Sequence, residues 1–177
     1  MINKKKTVPE MNQVKCIGCG GLFPDKEGPV HRYMESCPGC WEVYGTILAR
    51  EYSDPDYYPV HRMSVDCYAI QHPGTPSPQS IQSVGTHLIR LSLFLEGGLN
   101  QNQANNAMLK AIKQKENFVW LEPPESRGEI TVIDVVDANS AKEHIKLVKQ
   151  WAESAWEAWS IHHSTVKSWM RYQICPK

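Results

Sequence analysis

Along most of this chain apolar residues recur at intervals of three and four, the period of a helix with one buried face. Trp41, Tyr44, Leu48 and Tyr52 predict a first helix. It opens at Pro38, whose missing N–H costs nothing in a first turn, and Ser53-Asp54-Pro55-Asp56 stops it. A second helix runs from Pro59 to about Gln71 and ends at His72-Pro73-Gly74. Ile81, Val84, Leu88, Leu91 and Leu95 are the stripe of a third, from about Pro78 to Glu96, which Gly97-Gly98 close. Gln101 to Lys115 is a weaker, polar helix, and the short apolar run Phe118 to Leu121 meets Pro123-Pro124, which force an extended turn.

Ile130 to Val136 has the β-branched content of a strand, but Thr131 with Asp134 three residues on is a helix cap, and the balance tips to a short helix. Ser140 with Glu143 is a capping box that opens the last element. Ile145, Val148, Trp151, Ala155, Trp159, Val166 and Met170 mark one apolar face from there on, which predicts a single long helix at the centre of the molecule. The expected architecture is mainly α. It is a helical bundle with an N-terminal zinc-knuckle segment packed on the first helix. Residues 1–15 are polar and expected to be flexible, and 16–177 form one helical domain that includes the knuckle at 16–40.

The knuckle is the strongest chemical signal. Cys16-x2-Cys19 and Cys37-x2-Cys40 are separated by 17 residues. Each pair can offer two sulfurs to one tetrahedral ion, and the intervening length lets the second pair fold back onto the first. Thiolates in that arrangement suit zinc better than magnesium or calcium. Cys40 falls in the first turn of the first helix, where the positive end of the helix dipole favours a thiolate. Four protein ligands leave no open position for water or substrate, so the ion is read as structural.

Charge and composition narrow the partners. Lysine plus arginine equals aspartate plus glutamate, 19 each, so the chain lacks the positive field that drives binding to nucleic acid or to anionic membranes. No window approaches the ~18 apolar residues of a membrane span, and no secretion signal is seen. With four of six cysteines in a metal-type spacing, a reducing cytoplasm is the expected compartment. Cys67 and Cys175 are spare thiols, Cys67 being read as a small core residue.

Seven histidines are many for this length. His61 and His72 share one face of the second helix; Asp66 lies off that face, flanked by apolar neighbours. Such an acid either sits at a solvent edge or is held inside by partners, because an unpaired buried carboxylate is too costly. His87 interrupts the stripe of the third helix, and His162 and His163 interrupt the last apolar face. Each is most simply a satisfied core histidine. Together they are candidate catalytic residues, since His61 or His72, His87 and His162 or His163 can converge near Asp66 to hold a second metal or supply a general base.

The phrases GPVHRYMESCPGCW, LAREYSDPDYYPVHRMSVDCYAIQHPG, SIQSVGTHLIRL, FVWLEPP and AWSIHHSTVKSWM together resemble an uncharacterised bacterial family of small proteins catalogued as a domain of unknown function. The likeness spans Cys16 to Met170 and brings no activity with it. It implies a Cys3His site with His31 as the fourth ligand and Cys37 as a bystander. The metal set is therefore Cys16, Cys19 and Cys40, with Cys37 or His31 as fourth ligand. It also sets the histidines at 61, 72, 87, 162 and 163 within the family's motifs, which favours a functional role for them as a set.

The leading expectation is a cytoplasmic zinc protein with a His/Asp-lined cleft between helices that binds a small-molecule ligand or second metal and is hydrolytic if catalytic. The rivals are an interaction module that presents the knuckle loop, Leu22 to Tyr33, to a protein or nucleic-acid partner, and a metal sensor or carrier.

Overall fold

Val14 and Phe23 face one another across an antiparallel pair of short strands, β1 (Gln13–Lys15) and β2 (Leu22–Pro24). Among the described residues the other elements are helical. The computed structural model describes residues 12–170. The hairpin carries the first cysteine pair in its turn, where the Cys16 N–H donates to Gly21 O at 2.8 Å and the Gly20 N–H to Cys16 O at 2.9 Å. Residues 1–11, most of the segment expected to be flexible, lie outside the described residues, whereas Gln13–Lys15 form β1.

Helix α1 (Pro38–Ser53) begins with Pro38 in its first turn and Cys37 as its N-cap residue. Its start is pressed against β2: a Cβ on Gly39 would lie 2.9 Å from Phe23 Cβ and 3.0 Å from Pro24 O, so only glycine lets hairpin and helix meet this closely. After a 3-10 turn at Tyr58–Val60 come α2 (His61–Gln71) and α3 (Pro78–Leu95), the latter capped by the Ser77 hydroxyl. Helix α4 (Gln101–Ala111) has a reciprocal capping box between Asn100 and Gln103 and runs on as 3-10 helix to Asn117. Helix α5 (Val132–Val136) is capped by Thr131 and Asp134, so the β-branched stretch is a helix and not a strand. Two local capping bonds outweigh the strand preference of its side chains.

Helix α2 lies at the centre, against α3 and α6 (Ala141–Ala158), while α1 packs on α5. Trp151 and Trp159, both fully buried, fill the middle with Ile47, Ile70, Leu88 and Leu91. Some buried polar groups of this core are paired, whereas Trp159 Nε1 and His144 Nδ1 have no hydrogen-bond partner. Gln71 accepts from Trp151 Nε1 at 2.9 Å and donates to the carbonyls of Arg127 and Ile130 at 3.0 and 2.8 Å.

The last element is two helices rather than the one long helix that the periodicity predicts. Helix α6 stops at Ala158, a 3-10 turn covers Ser160–His162, and α7 (His163–Met170) follows. The break has a local cause. Trp156 O accepts from the Trp159 N–H at 3.0 Å and from the His163 imidazole at 2.9 Å, which satisfies the end of α6 in place of a continuing turn. The His163 ring also stacks on Trp156, with centroids 3.7 Å apart. The Ser140 cap forms through its hydroxyl, but Glu143 reaches back to the Asn139 N–H instead of Ser140. Among the described residues no helix is long and apolar enough to cross a membrane.

Candidate metal centre

The hairpin turn delivers Cys16 and Cys19, the first turn of α1 delivers Cys40, and the residue that ends α2 delivers His72. The three sulfurs and one imidazole nitrogen lie within 4.8 Å of one another, and all four residues are buried. Cys19 Sγ is 3.8 Å from Cys40 Sγ, and His72 Nε2 is 3.6 Å from Cys16 Sγ and 3.4 Å from Cys40 Sγ. A tetrahedral zinc with bonds of about 2.3 Å to sulfur and about 2.0–2.1 Å to nitrogen sets neighbouring donors about 3.8 and about 3.6 Å apart. The donor set and its spacing fit such an ion.

His72 is oriented by the element that carries it. Its Nδ1–H donates to the Tyr68 carbonyl one turn earlier, at 2.7 Å, which leaves the Nε2 lone pair facing the sulfurs. The Tyr68 ring stacks on His72 on one side (3.9 Å) and on Tyr44 on the other (3.8 Å), and its hydroxyl lies 3.6 Å from Cys40 Sγ. An imidazole that gives its far N–H to a carbonyl is the usual outer shell of a metal-bound histidine.

Two further features hold the knuckle to α2. Gly18 sits against His72: a Cβ there would lie 2.1 Å from His72 Cδ2 and 2.6 Å from Glu35 O. Arg127 Nη1 donates to the carbonyls of Ile17, Gly18 and Gln71 at 3.1–3.2 Å, which ties the hairpin turn to the end of α2.

The thiols compete for protons. The hydrogen bond from Cys19, then that from Cys40, pulls Cys16 far below the usual thiol range. Donating to Cys16 pushes Cys19 up to about 12, and Cys40 is driven far above the usual range by its bonds to Cys16 and Cys19. Sulfurs this crowded cannot all ionise by themselves; a dication held by Cys16, Cys19, Cys40 and His72 would compensate their charge and displace the protons.

The fourth member of the cluster is thus His72, which the sequence reading grouped with the catalytic candidates. Neither Cys37 nor His31 belongs to the four. Cys37 turns its main-chain N–H toward the Cys16 sulfur, and burial raises its own thiol. His31 packs edge-on to Tyr33 and tilted on Trp41, with centroids 4.4 and 5.3 Å away, and its Nδ1 is buried without a partner.

The remaining candidates do not converge on one cleft. Asp66 is fully buried on α2, where Arg90 of α3 binds both carboxylate oxygens through Nε (2.9 and 2.8 Å) and Oδ1 through Nη2. His87 Nδ1 donates to the same Oδ1 at 2.7 Å. His61 points elsewhere, to Glu51 of α1 at 2.9 Å. His162 donates to Glu122 O at 2.8 Å, and His163 caps α6.

Sequence reasoning missed a second buried cluster. Glu51 accepts from His61, from His144 Nε2 at 2.9 Å and from the Ser64 hydroxyl at 2.5 Å, which joins α1, α2 and α6. Burial works against its charge, but the bonds from His144, His61 and Ser64 prevail and hold its carboxyl below the ordinary range. The available signal was the helical spacing of Glu51 from the buried Tyr44 and Ile47, which puts it on the inner side of α1.

Residues 14–160 match DUF5946, a family of unknown function, and the chain belongs to it. No curated protein and no solved structure matches the chain.

Proposed function

We propose that this is a zinc-binding protein in which one ion, held by Cys16, Cys19, Cys40 and His72, has a structural role. The observation that carries this reading is the orientation of His72. Its outer nitrogen is committed to Tyr68 O while Nε2 meets two sulfurs at 3.4 and 3.6 Å. Softness of the donors selects zinc over the harder divalent cations. Four protein donors close the coordination sphere, so the ion joins hairpin, α1 and α2 instead of activating water. Unpaired thiols at all five described cysteines suit a reducing compartment such as the cytoplasm.

Metal analysis of the purified protein tests this. One zinc per chain is expected, retained against a weak chelator and lost in His72→Ala with a fall in melting temperature. Full zinc content in His72→Ala contradicts the ligand set, and a labile ion in the wild type favours a sensor or carrier.

A second reading has its own support. Ile17, Leu22 and Val30 are 70%, 56% and 47% exposed around the knuckle, which suits a module that presents this loop to a protein partner. Substitution of these three by serine leaves zinc content and stability intact on either reading. It abolishes partner capture on the second alone.

A further inference from the structure

Asp66, His87 and the groove beside them are independent of the metal cluster and unexplained by it. A purely structural ion pair needs only Asp66 and Arg90, because the guanidinium already binds both carboxylate oxygens. His87 adds a third donor through Nδ1, on a side chain that is 15% exposed. The 2.7 Å approach of Nδ1 to a carboxylate oxygen, closer than the 3.3 Å approach of Arg90 Nη2 to the same nitrogen, places the imidazole proton on Nδ1. Nε2 is then an unprotonated acceptor, with no protein partner among the described residues and no seal over it. Asp66 and Arg90 are the charged groups against this ring.

His87 lines a groove of about 360 Å³ with Tyr33, Gln79, Gln82, Ser83, Thr86 and Ile112. Apart from His87 the wall is amides, hydroxyls and apolar surface, with no charged side chain. Thr86 Oγ1 is buried there without a hydrogen-bond partner, which is costly unless something supplies one. Tyr33 belongs to the loop between the two metal-binding segments, and its carbonyl is fitted against Gly74: a Cβ at that position would lie 2.2 Å away. The knuckle segment therefore supplies one wall of the groove.

We propose that His87 is a general base in this groove, oriented by Asp66, and that it serves the hydrolysis of a small uncharged ester by water. Nε2 takes a proton from water as the water oxygen bonds to the acyl carbon. The carbon–oxygen bond to the leaving group then breaks, and the leaving oxygen takes the proton back from Nε2. The products are an acid and an alcohol, and His87 ends as it began. Asp66 is a positioning residue that holds the tautomer and stabilises the imidazolium between the two proton transfers. Uncharged substrates are favoured because the side chains lining the groove supply no cation, and the ammonium at its edge, Lys115 Nζ, is taken up by Gln82 Oε1 at 3.0 Å.

The test uses the full-length, zinc-loaded protein and p-nitrophenyl acetate as the probe ester. His87→Gln keeps the size and a donor toward Asp66 but removes the base. The expected result is a fall in hydrolysis of at least about tenfold, with loss of the acid limb of the pH–rate profile and unchanged zinc content and melting temperature. No acetyl adduct is expected in the wild type on Ser83, one helical turn from His87. Equal rates in His87→Gln and wild type overturn the proposal, and so does an acetyl group trapped on Ser83. Long-range ¹H–¹⁵N NMR gives a readout independent of the ester: Nδ1 protonated and Nε2 bare is expected, and the opposite tautomer overturns the assignment. Zinc content reports on the structural site in the same samples, so either idea can fail alone.

Discussion

His72 gives its Nδ1–H to the carbonyl of Tyr68 at 2.7 Å, and Tyr68 stacks its ring on His72 while its hydroxyl approaches the Cys40 sulfur at 3.6 Å. One residue of α2 thus sets the tautomer and orientation of the imidazole and solvates a neighbouring sulfur. Tyr68→Phe keeps the carbonyl and the stack but removes the hydroxyl. Zinc affinity should fall roughly tenfold, the low end of outer-shell effects, as measured by competition with a chromophoric chelator. An unchanged affinity shows that the hydroxyl contributes nothing to the ion.

Gly18 makes room for His72. Gly18→Ala places a methyl 2.1 Å from His72 Cδ2 with a carbonyl on its other side, so ring or hairpin must shift. Zinc content should drop sharply. Gly45, in the middle of α1, has nothing within 4 Å of its missing Cβ. Gly45→Ala should therefore raise stability by roughly 1 kcal/mol through helix propensity and leave zinc content unchanged. Chemical unfolding with metal analysis separates the two.

Glu51 is a buried charge with three donors, and removal of that charge leaves His61 and His144 poorly matched. Glu51→Gln should cost about 3 kcal/mol, the scale seen when one partner of a buried ionic group is removed. The folded-state carboxyl lies below its ordinary value. Its contribution is therefore complete above the unfolded value of about 4.3 and is lost as pH falls through the lower folded one. Melting temperatures taken from pH 7 downward should fall more shallowly in Glu51→Gln than in the wild type. Parallel curves contradict the assignment.

His163 ends α6 by bonding Trp156 O. His163→Ala leaves that carbonyl without the imidazole donor and removes the stack, at a cost of about 1–2 kcal/mol. Amide hydrogen exchange should rise first at the 3-10 turn between α6 and α7. Protection that is unchanged there means another group sets the break.

Much of the bundle is legible in the sequence because its signals are local. Pro38 and the Thr131/Asp134 pair announce helix starts through features a few residues long, and the stripe on α3 needs only its own period. The metal centre was legible for Cys16, Cys19 and Cys40 through the knuckle spacing. His72 was not, because it comes from the end of α2, 32 residues beyond Cys40, and only tertiary packing brings it there. For the same reason the histidines could not be sorted by sequence. His61 and His72 share a helix face in projection, yet one meets Glu51 and the other the sulfurs. The break at Trp159 was hidden because the apolar face stays nearly in phase across it, and only the His163–Trp156 contact reveals the stop.

X-ray absorption at the zinc edge of the purified protein tests the central claim most directly. Three sulfurs at about 2.3 Å and one imidazole nitrogen at about 2.0–2.1 Å are predicted for the wild type, with the nitrogen shell lost in His72→Cys and retained in Cys37→Ser and His31→Gln. A four-sulfur shell in the wild type, or a nitrogen shell that disappears with His31 and survives without His72, contradicts the assignment.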